Sequence, residues 1–127
     1  MLSFKTLSAY LQSRSLHPTM EEILIWIYRH QWPSDADMVV TRIADPDPNQ
    51  KTAIHTAGPP HRAVDLRLFN IGAFQAGRIA EAVNREWTYD PTRPALRCCI
   101  VHDAGSGNHI HLQVHNRTVR ADATVTA

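Results

Sequence analysis

The sequence predicts an α+β fold: a single small domain with a mostly antiparallel sheet of about four strands and helices packed on one face of it. Two observations carry this prediction. Apolar residues recur at helical spacing in two segments, whereas other segments alternate between apolar and polar residues or are continuously apolar, as strands are. The chain has 127 residues, 43% of them hydrophobic, which suffices for one core and therefore one domain over 1–127.

The N-terminal part, about residues 1–32, is predicted to be helical. Thr19 and Glu22 have the spacing of a capping box, and the apolar residues that follow recur at helical spacing. We expect this amphipathic helix to end near Gln31, because a proline follows two residues later.

The core of the domain, about residues 38–115, is predicted to combine strands with a second helix. Between the first two strands lies a long loop rich in Pro, Asp, Asn and Gly. Few apolar residues follow Thr118, so we expect a frayed tail over 119–127. The predicted elements are strands over 38–43, 63–69 and 96–102, a helix over 71–86, and a strand beginning at residue 109 that forms a hairpin with the strand before it.

Two segments contain residues that predict a metal site. The segment GPPHRAVDLRLF holds His61 and Asp65, and GSGNHIHLQVH holds His109 and His111. Zinc in a hydrolytic site takes three protein ligands, usually His nitrogens and a carboxylate, and leaves a fourth position to water. Alternation along a strand directs both histidines of the second segment to one face. The residue types therefore predict a mononuclear zinc site.

The spacing of His61 and Asp65 constrains how they could meet. An extended strand rises about 3.3 Å per residue and would hold these two residues roughly 13 Å apart. We therefore expect Pro59 and Pro60 to keep His61 in a curled loop, with the strand beginning only near Asp65.

Each of these residues also has a plainer interpretation. The chain contains 8 His, and a single His is more often a surface or hydrogen-bonded residue than a ligand. The spacing of His61 and Asp65 alone is a weak signal, and so is an HxH pair alone. The combination of both, each preceded by a Gly- or Pro-containing loop, favours the metal site.

The same residues resemble the motifs of the lysostaphin, D-Ala-D-Ala carboxypeptidase and hedgehog superfamily of zinc peptidases. HRAVD matches its HxxxD element and HIH its HxH element. The short HxxxD spacing is similar to that of the lysostaphin branch. The segment TRIAD, which precedes the long loop, looks like the corresponding segment of the carboxypeptidase and phage endolysin branch. The chain also resembles small phage or prophage proteins that carry a segment like NREWTYDPTRP. The resemblance spans about residues 38–115 and implies a hedgehog- and DD-peptidase-like fold.

What the resemblance implies is a zinc-dependent peptidase acting on peptidoglycan stem peptides or cross-links. The first histidine of the HxH element, His109, would be the general base, because this chain has no Glu close before its last His ligand. His102 and Asp103 are the alternatives for that role. The implied zinc ligands are His61, Asp65 and His111.

Arginines are the residues predicted to bind substrate. Arg42, Arg62 or Arg67 could clamp the carboxylate of a peptide stem, since a guanidinium offers that planar group two parallel hydrogen bonds. The plainer interpretation of each is a solvated charge on a strand. His55 lies in the long loop and is either a substrate-side residue or merely solvated.

Composition narrows the classes of function. A formal net charge of +1, with Lys and Arg scattered along the chain, provides no basic field for nucleic acid. No apolar run reaches the length of a membrane span, and the N-terminus lacks the apolar core of a secretory signal. We expect synthesis in a bacterial cytoplasm, with a phage-encoded protein acting on the cell wall as one possibility. Adjacent Cys98 and Cys99 are interpreted as reduced, buried strand residues.

Two functions of different classes remain open. The first is the zinc-dependent peptidase. The second is a non-enzymatic zinc-binding phage or prophage structural or accessory protein that uses the ion for stability. The fourth coordination position separates them, because a structural zinc is closed by protein ligands, here His55, His109 or His115. An iron oxygenase with two His and one carboxylate is a third alternative.

Overall fold

The computed structural model describes residues 1–43, 59–103 and 108–121. Among them, five strands form the main sheet in the spatial order β1-β2-β3-β6-β5, and β1 with β2 is the only parallel pair of this sheet. The α+β class and the mostly antiparallel sheet are thereby confirmed. The strands of this sheet are β1 (Leu2–Phe4), β2 (Met38–Arg42), β3 (Ala63–Arg67), β5 (Cys99–Asp103) and β6 (Asn108–Gln113).

A second, two-stranded sheet corrects the predicted C-terminal tail. Its strands are β4 (Trp87–Thr88) and β7 (Val119–Arg120), which pair antiparallel. The N–H of Ala121 also donates to the carbonyl of Glu86 at 2.7 Å. The first residues of the predicted frayed tail are thus hydrogen-bonded to the rest of the domain, and residues 122–127 lie outside the described part of the chain.

The described helices are α1 (Leu7–Gln12), a 3₁₀ turn (Ser13–Ser15), α2 (Pro18–His30) and α3 (Ala73–Glu86). None of the described helices is both long and apolar enough to cross a membrane. The predicted capping box is wrong, because the N-cap of α2 is His17, whose Nδ1 accepts from the N–H of Thr19 at 3.1 Å. Pro18 occupies the first helical position, where its missing N–H costs no hydrogen bond. The N-terminal part is also not wholly helical, since it begins with β1.

The hydrophobic core lies on one face of the main sheet. Alternation along β3 and β6 places Val64, Leu66, Ile110 and Leu112 on this face, and all are 0% exposed. These residues belong to the same buried cluster as the apolar faces of α2 and α3, so both helices pack on this face, as predicted. The helices contribute Met20, Ile23, Ile27, Ala76, Ile79 and Val83.

Helix α3 also fixes the position of β5, the edge strand. The Asn84 side chain donates through Nδ2 to the carbonyl of Cys99 at 2.9 Å and accepts through Oδ1 from its N–H at 3.0 Å. Cys98 and Cys99 are free and buried, as predicted, and burial raises the pKa of each thiol to about 12. Strand β5 is therefore hydrogen-bonded along one edge to Asn84 of α3 and along the other edge to β6.

Candidate metal centre

The register of three strands determines which side chains meet on the face opposite the helices. Across β3 and β6, Asp65 pairs with His111 and Arg67 pairs with His109. Across β5 and β6, His102 pairs with His109. Directly paired residues of an antiparallel sheet project from the same face with their Cβ atoms about 5 Å apart. The backbone alone therefore brings three histidines and a carboxylate together.

The three histidines form a group with metal-ligand spacing. One ligand atom from each of His102, His109 and His111 lies within 4.8 Å of the other two. The ring centroid of His102 is 4.3 Å from that of His109 and 5.8 Å from that of His111. His102 is exposed, His109 is partly buried and His111 is buried, so the group extends from solvent into the sheet surface.

The chemistry of this donor set fits a transition-metal ion. Imidazole nitrogens suit zinc, copper, iron and nickel, and three His ligands leave one position of a tetrahedral site open. With Zn–N distances of about 2.1 Å, the nitrogens of such a site lie about 3.4 Å apart. The ligand atoms of this group lie within 4.8 Å of one another, so side-chain rotation has to bring them closer when an ion binds.

Asp65 lies behind the histidines and contacts two of them. Its Oδ1 is 2.9 Å from Nδ1 of His111, and its Oδ2 is 3.7 Å from Nε2 of His109. Arg42 Nη1 is 4.0 Å from the same Oδ2. The Asp65 side chain is buried, and a buried carboxylate needs such partners to remain charged. A metal-ligating His typically donates its second ring N–H to a carboxylate, which is the arrangement of His111 and Asp65.

Gln113 holds the other side of the His111 ring. Its Oε1 is 3.1 Å from Nε2 of His111, and its Nε2 donates to the main-chain carbonyl of Arg97 at 2.8 Å. That second bond directs the amide oxygen toward the imidazole, so His111 is oriented from both nitrogens. A metal ion that binds through Nε2 replaces the contact with Gln113. Alternation along β6 puts Gln113 on the same face as His111, but nothing in the sequence indicates this role.

His61 is not part of the histidine group. Its N–H donates to the carbonyl of Ser15 and its carbonyl accepts from the N–H of His17, both at 2.8 Å. The carbonyl of Arg62 in turn accepts from Val114, which extends the pairing of β3 with β6. The predicted curled loop is therefore wrong, because His61 forms a parallel bridge with Leu16 and β3 begins two residues later, at Ala63. Over an extended stretch of this length the two residues are separated by about 13 Å. Of the predicted ligand set, the structure brings together Asp65 and His111 only.

The other predicted site residues occupy different places. His109 lies in the group, next to His102, which the sequence indicated only as an alternative base. Arg42 lies beside Asp65. Arg62 directly precedes β3 and pairs with Val114, so alternation assigns it to the face opposite the histidines.

Of the remaining candidates, His115 gives no further ligand in the described part of the chain. His115 contacts Tyr89, with ring centroids 5.9 Å apart, and its Nδ1 accepts from the N–H of Arg117. Asp103 ends β5, where it pairs with Asn108. His55 lies outside the described residues.

Comparison with known proteins identifies no relative: no family model, no curated protein and no solved structure matches this chain significantly. The fold and the site therefore define the class by themselves. They describe an α+β domain that carries, on the sheet face opposite α2 and α3, three histidines that could hold a metal ion. Membership of the zinc peptidase superfamily stays a prediction from the HRAVD and HIH motifs.

Proposed function

We propose that this protein is a zinc-dependent hydrolase that cleaves amide bonds of peptidoglycan peptides, with His102, His109 and His111 as the metal ligands. The observation that supports it best is the approach of the three imidazoles to within 4.8 Å. Three His ligands with an open fourth position are typical of catalytic zinc. The choice of peptidoglycan rests on the resemblance of the two motifs to zinc peptidases.

The protein's own side chains prepare the site for this chemistry. When bound, zinc supplies a nucleophile at neutral pH and polarises the scissile carbonyl. Asp65 orients His111 through the 2.9 Å contact with Nδ1. Arg42, 4.0 Å from the same carboxylate, offsets its charge, and the burial of Asp65 excludes water from the pair. A ligand fixed in this way loses little freedom on binding the ion.

This ligand set gives His109 a role different from the one the resemblance implies. If His109 is a ligand, His109→Ala loses metal and rate together. If it is the general base, the variant keeps the ion and loses rate. Metal content and turnover measured on the same preparation therefore separate the two roles.

The test of the function is hydrolysis of purified muropeptides, followed by mass spectrometry of the products. We expect the zinc-loaded protein to release peptide fragments, the chelator-treated protein to release none, and added zinc to restore the activity. His111→Ala is the matched inactive variant. Equal products with and without metal would contradict the proposal, and so would a zinc-loaded protein that leaves every muropeptide intact.

The non-enzymatic alternative has one observation in its favour. Asp65 Oδ2 lies 3.7 Å from Nε2 of His109, so a carboxylate is next to the group and would become the fourth ligand if it left His111. X-ray absorption of the zinc-loaded protein distinguishes the two sites. Three nitrogens with a water support the hydrolase, whereas three nitrogens with a carboxylate oxygen and no muropeptide cleavage support a structural zinc.

A further inference from the structure

Exposed apolar side chains are concentrated at the β1 edge of the domain. Of the twelve large apolar residues that are exposed in the described part of the chain, six belong to β1, α1 and α2. Single exposed apolar residues are ordinary, whereas a contiguous apolar patch marks an interaction site. We call these six residues the N-terminal apolar surface: Leu2, Leu7, Tyr10, Leu11, Ile25 and Tyr28.

Helix α1 presents its large apolar side chains to the outside. Leu7, Tyr10 and Leu11 are 72%, 49% and 51% exposed. At 3.6 residues per turn, these three positions lie within about 100° of one another around the helix axis. Ala9, which is buried in the core, lies on the opposite side of α1. The outward side of this helix therefore does not contribute to the core of its own domain and is available to a partner.

An apolar groove continues this surface. The ring centroid of Tyr10 is 5.5 Å from that of Phe4, in an edge-to-face contact. Phe4 in turn lines a groove between β1 and α2, together with Leu2, Ile25 and Tyr28. The outward side of α1 and the groove therefore form one contiguous surface.

The charges around this surface indicate the kind of partner. Lys5 and Arg14 lie on either side of α1, both are exposed, and residues 1–20 contain no Asp or Glu. Among the residues that the structure describes, neither of the two takes part in an ion pair. The groove is lined by Arg14, Arg29 and one carboxylate, that of Glu21. Basic residues around exposed apolar side chains favour a partner that is anionic and partly apolar.

A second copy of this chain fits these charges less well than a lipid bilayer does. A two-fold interface joins the same patch of both copies, so it would bring two sets of Lys5 and Arg14 together. Like charges brought together at an interface oppose association. A bilayer with anionic headgroups accepts Leu and Tyr at its boundary and attracts Lys and Arg to its surface.

We propose that the N-terminal apolar surface binds the face of a lipid bilayer that contains anionic lipids. Leu7, Tyr10 and Leu11 enter the boundary between headgroups and acyl chains, while Lys5 and Arg14 contact the headgroup phosphates. The groove between β1 and α2 extends the apolar contact. This inference goes beyond the proposed function and does not depend on it.

The bilayer contact lies at the opposite end of the main sheet from the exposed histidine. Strands β1 and β5 are the two edges of the five-stranded sheet, and β5 carries His102. With neighbouring strands about 4.8 Å apart, the two edges are about 19 Å apart. A bilayer at the β1 edge therefore contacts the domain on the side away from His102.

The test is co-sedimentation of the full chain with vesicles, made either of equal parts of phosphatidylglycerol and phosphatidylcholine or of phosphatidylcholine alone. We expect binding to the mixed vesicles to be at least about 10-fold tighter than binding to the neutral ones, because each Lys or Arg near an anionic surface strengthens binding by about 5-fold. Added salt is expected to weaken the binding to mixed vesicles, since it screens this attraction.

Two double variants test the apolar and the basic contributions separately. Leu7→Gln with Leu11→Gln is expected to weaken binding to the mixed vesicles by at least about 10-fold, since two leucine side chains no longer leave water. Lys5→Gln with Arg14→Gln is expected to weaken it by about 10- to 30-fold and to leave binding to neutral vesicles unchanged. All four side chains are exposed, so the variants keep the core intact.

The matched control is Phe74→Gln, which changes an apolar side chain that is 80% exposed on α3 and lies outside the N-terminal apolar surface. It is expected to bind both kinds of vesicle as the parent does. Circular dichroism of each variant verifies that it is folded. An equal loss of binding in Phe74→Gln and in the leucine variant overturns the inference, because binding then follows exposed apolar residues in general.

Two further results overturn the inference: a parent protein that does not bind the mixed vesicles, and a leucine variant that binds them as tightly as the parent. Sedimentation velocity without lipid measures self-association. A dimer that dissociates in the leucine variant, together with no vesicle binding by the parent, assigns the surface to a second copy and contradicts the bilayer. No step of this test uses zinc or a muropeptide, so its failure is distinguishable from failure of the proposed function.

Discussion

At the scale of single residues, Asp65 connects the buried end of the histidine group to its surroundings. Its carboxylate contacts His111 at 2.9 Å, His109 at 3.7 Å and Arg42 at 4.0 Å. The sequence predicted this residue as a metal ligand. In the structure it sits where an orienting carboxylate sits, on the nitrogen of His111 that would face away from a metal bound through Nε2.

Asp65→Asn is expected to weaken zinc affinity by about 10- to 100-fold, because the amide keeps the size of the side chain but removes its charge. Competition with a chromophoric chelator measures the change. The matched control is Asp90→Asn, since Asp90 is equally buried but is bound by Thr92 and Arg93. The hydrogen bond from the Thr92 hydroxyl is the main cause that holds the pKa of Asp90 well below its usual value. Equal zinc affinity in the parent and Asp65→Asn would contradict this account.

There is a physical reason why the sequence indicated some of the side chains that the structure brings together. Asp65, His109 and His111 come together because alternation along two strands directs them to one face. His61 was misplaced, because its backbone pairs with Ser15 and His17, and such tertiary pairing leaves no signal in a short motif. His102 was predicted only as an alternative base and not as a ligand. Its position next to His109 depends on the register of the β5–β6 hairpin, which alternation alone does not determine.

At the scale of elements, the edge strand β5 carries His102 and depends on α3 for its outer hydrogen bonds. Asn84 supplies both of them, one to the carbonyl and one to the N–H of Cys99. Helix α3 begins after Gly72, whose φ of 88° is readily adopted only by glycine. The placement of His102 therefore rests on contacts outside the site.

Asn84→Ala is expected to lower the free energy of unfolding by about 1–3 kcal/mol, because the backbone groups of buried Cys99 lose their partners. Urea denaturation followed by tryptophan fluorescence measures it. Arg85→Ala changes the next residue of α3, which is exposed, and should stay within about 0.5 kcal/mol of the parent. If both variants unfold at the same urea concentration as the parent, Asn84 does not stabilise β5.

The long elements were predictable and the short ones were not. Strand β2 and helices α2 and α3 have periodic apolar residues over several turns or pleats, and each was predicted within a few residues of its bounds. Strands β1 and β7 have 3 and 2 residues, too few for alternation to be recognised. Their pairing with β2 and β4 depends on the assembled domain.

At the scale of the whole molecule, the two faces of the main sheet differ in the side chains that they carry. One face packs against α2 and α3 and provides the core, with residues such as Leu66 and Ile110 fully buried. The other face presents ionisable side chains at paired positions of β3, β5 and β6. This division was predictable from composition and alternation, because a single layer of helices covers only one face of a sheet.

The measurement that tests the account most directly is zinc binding by His102→Ala and His61→Ala, each titrated against a competing chelator. These variants separate the ligand set seen in the structure from the one implied by the HxxxD motif. The parent should bind about one zinc ion per chain, as a single three-His site would. His102→Ala should weaken the affinity by at least about 100-fold, since it removes one of three ligands, while His61→Ala should retain it. Loss of zinc in His61→Ala with full retention in His102→Ala would contradict the histidine group as the metal centre.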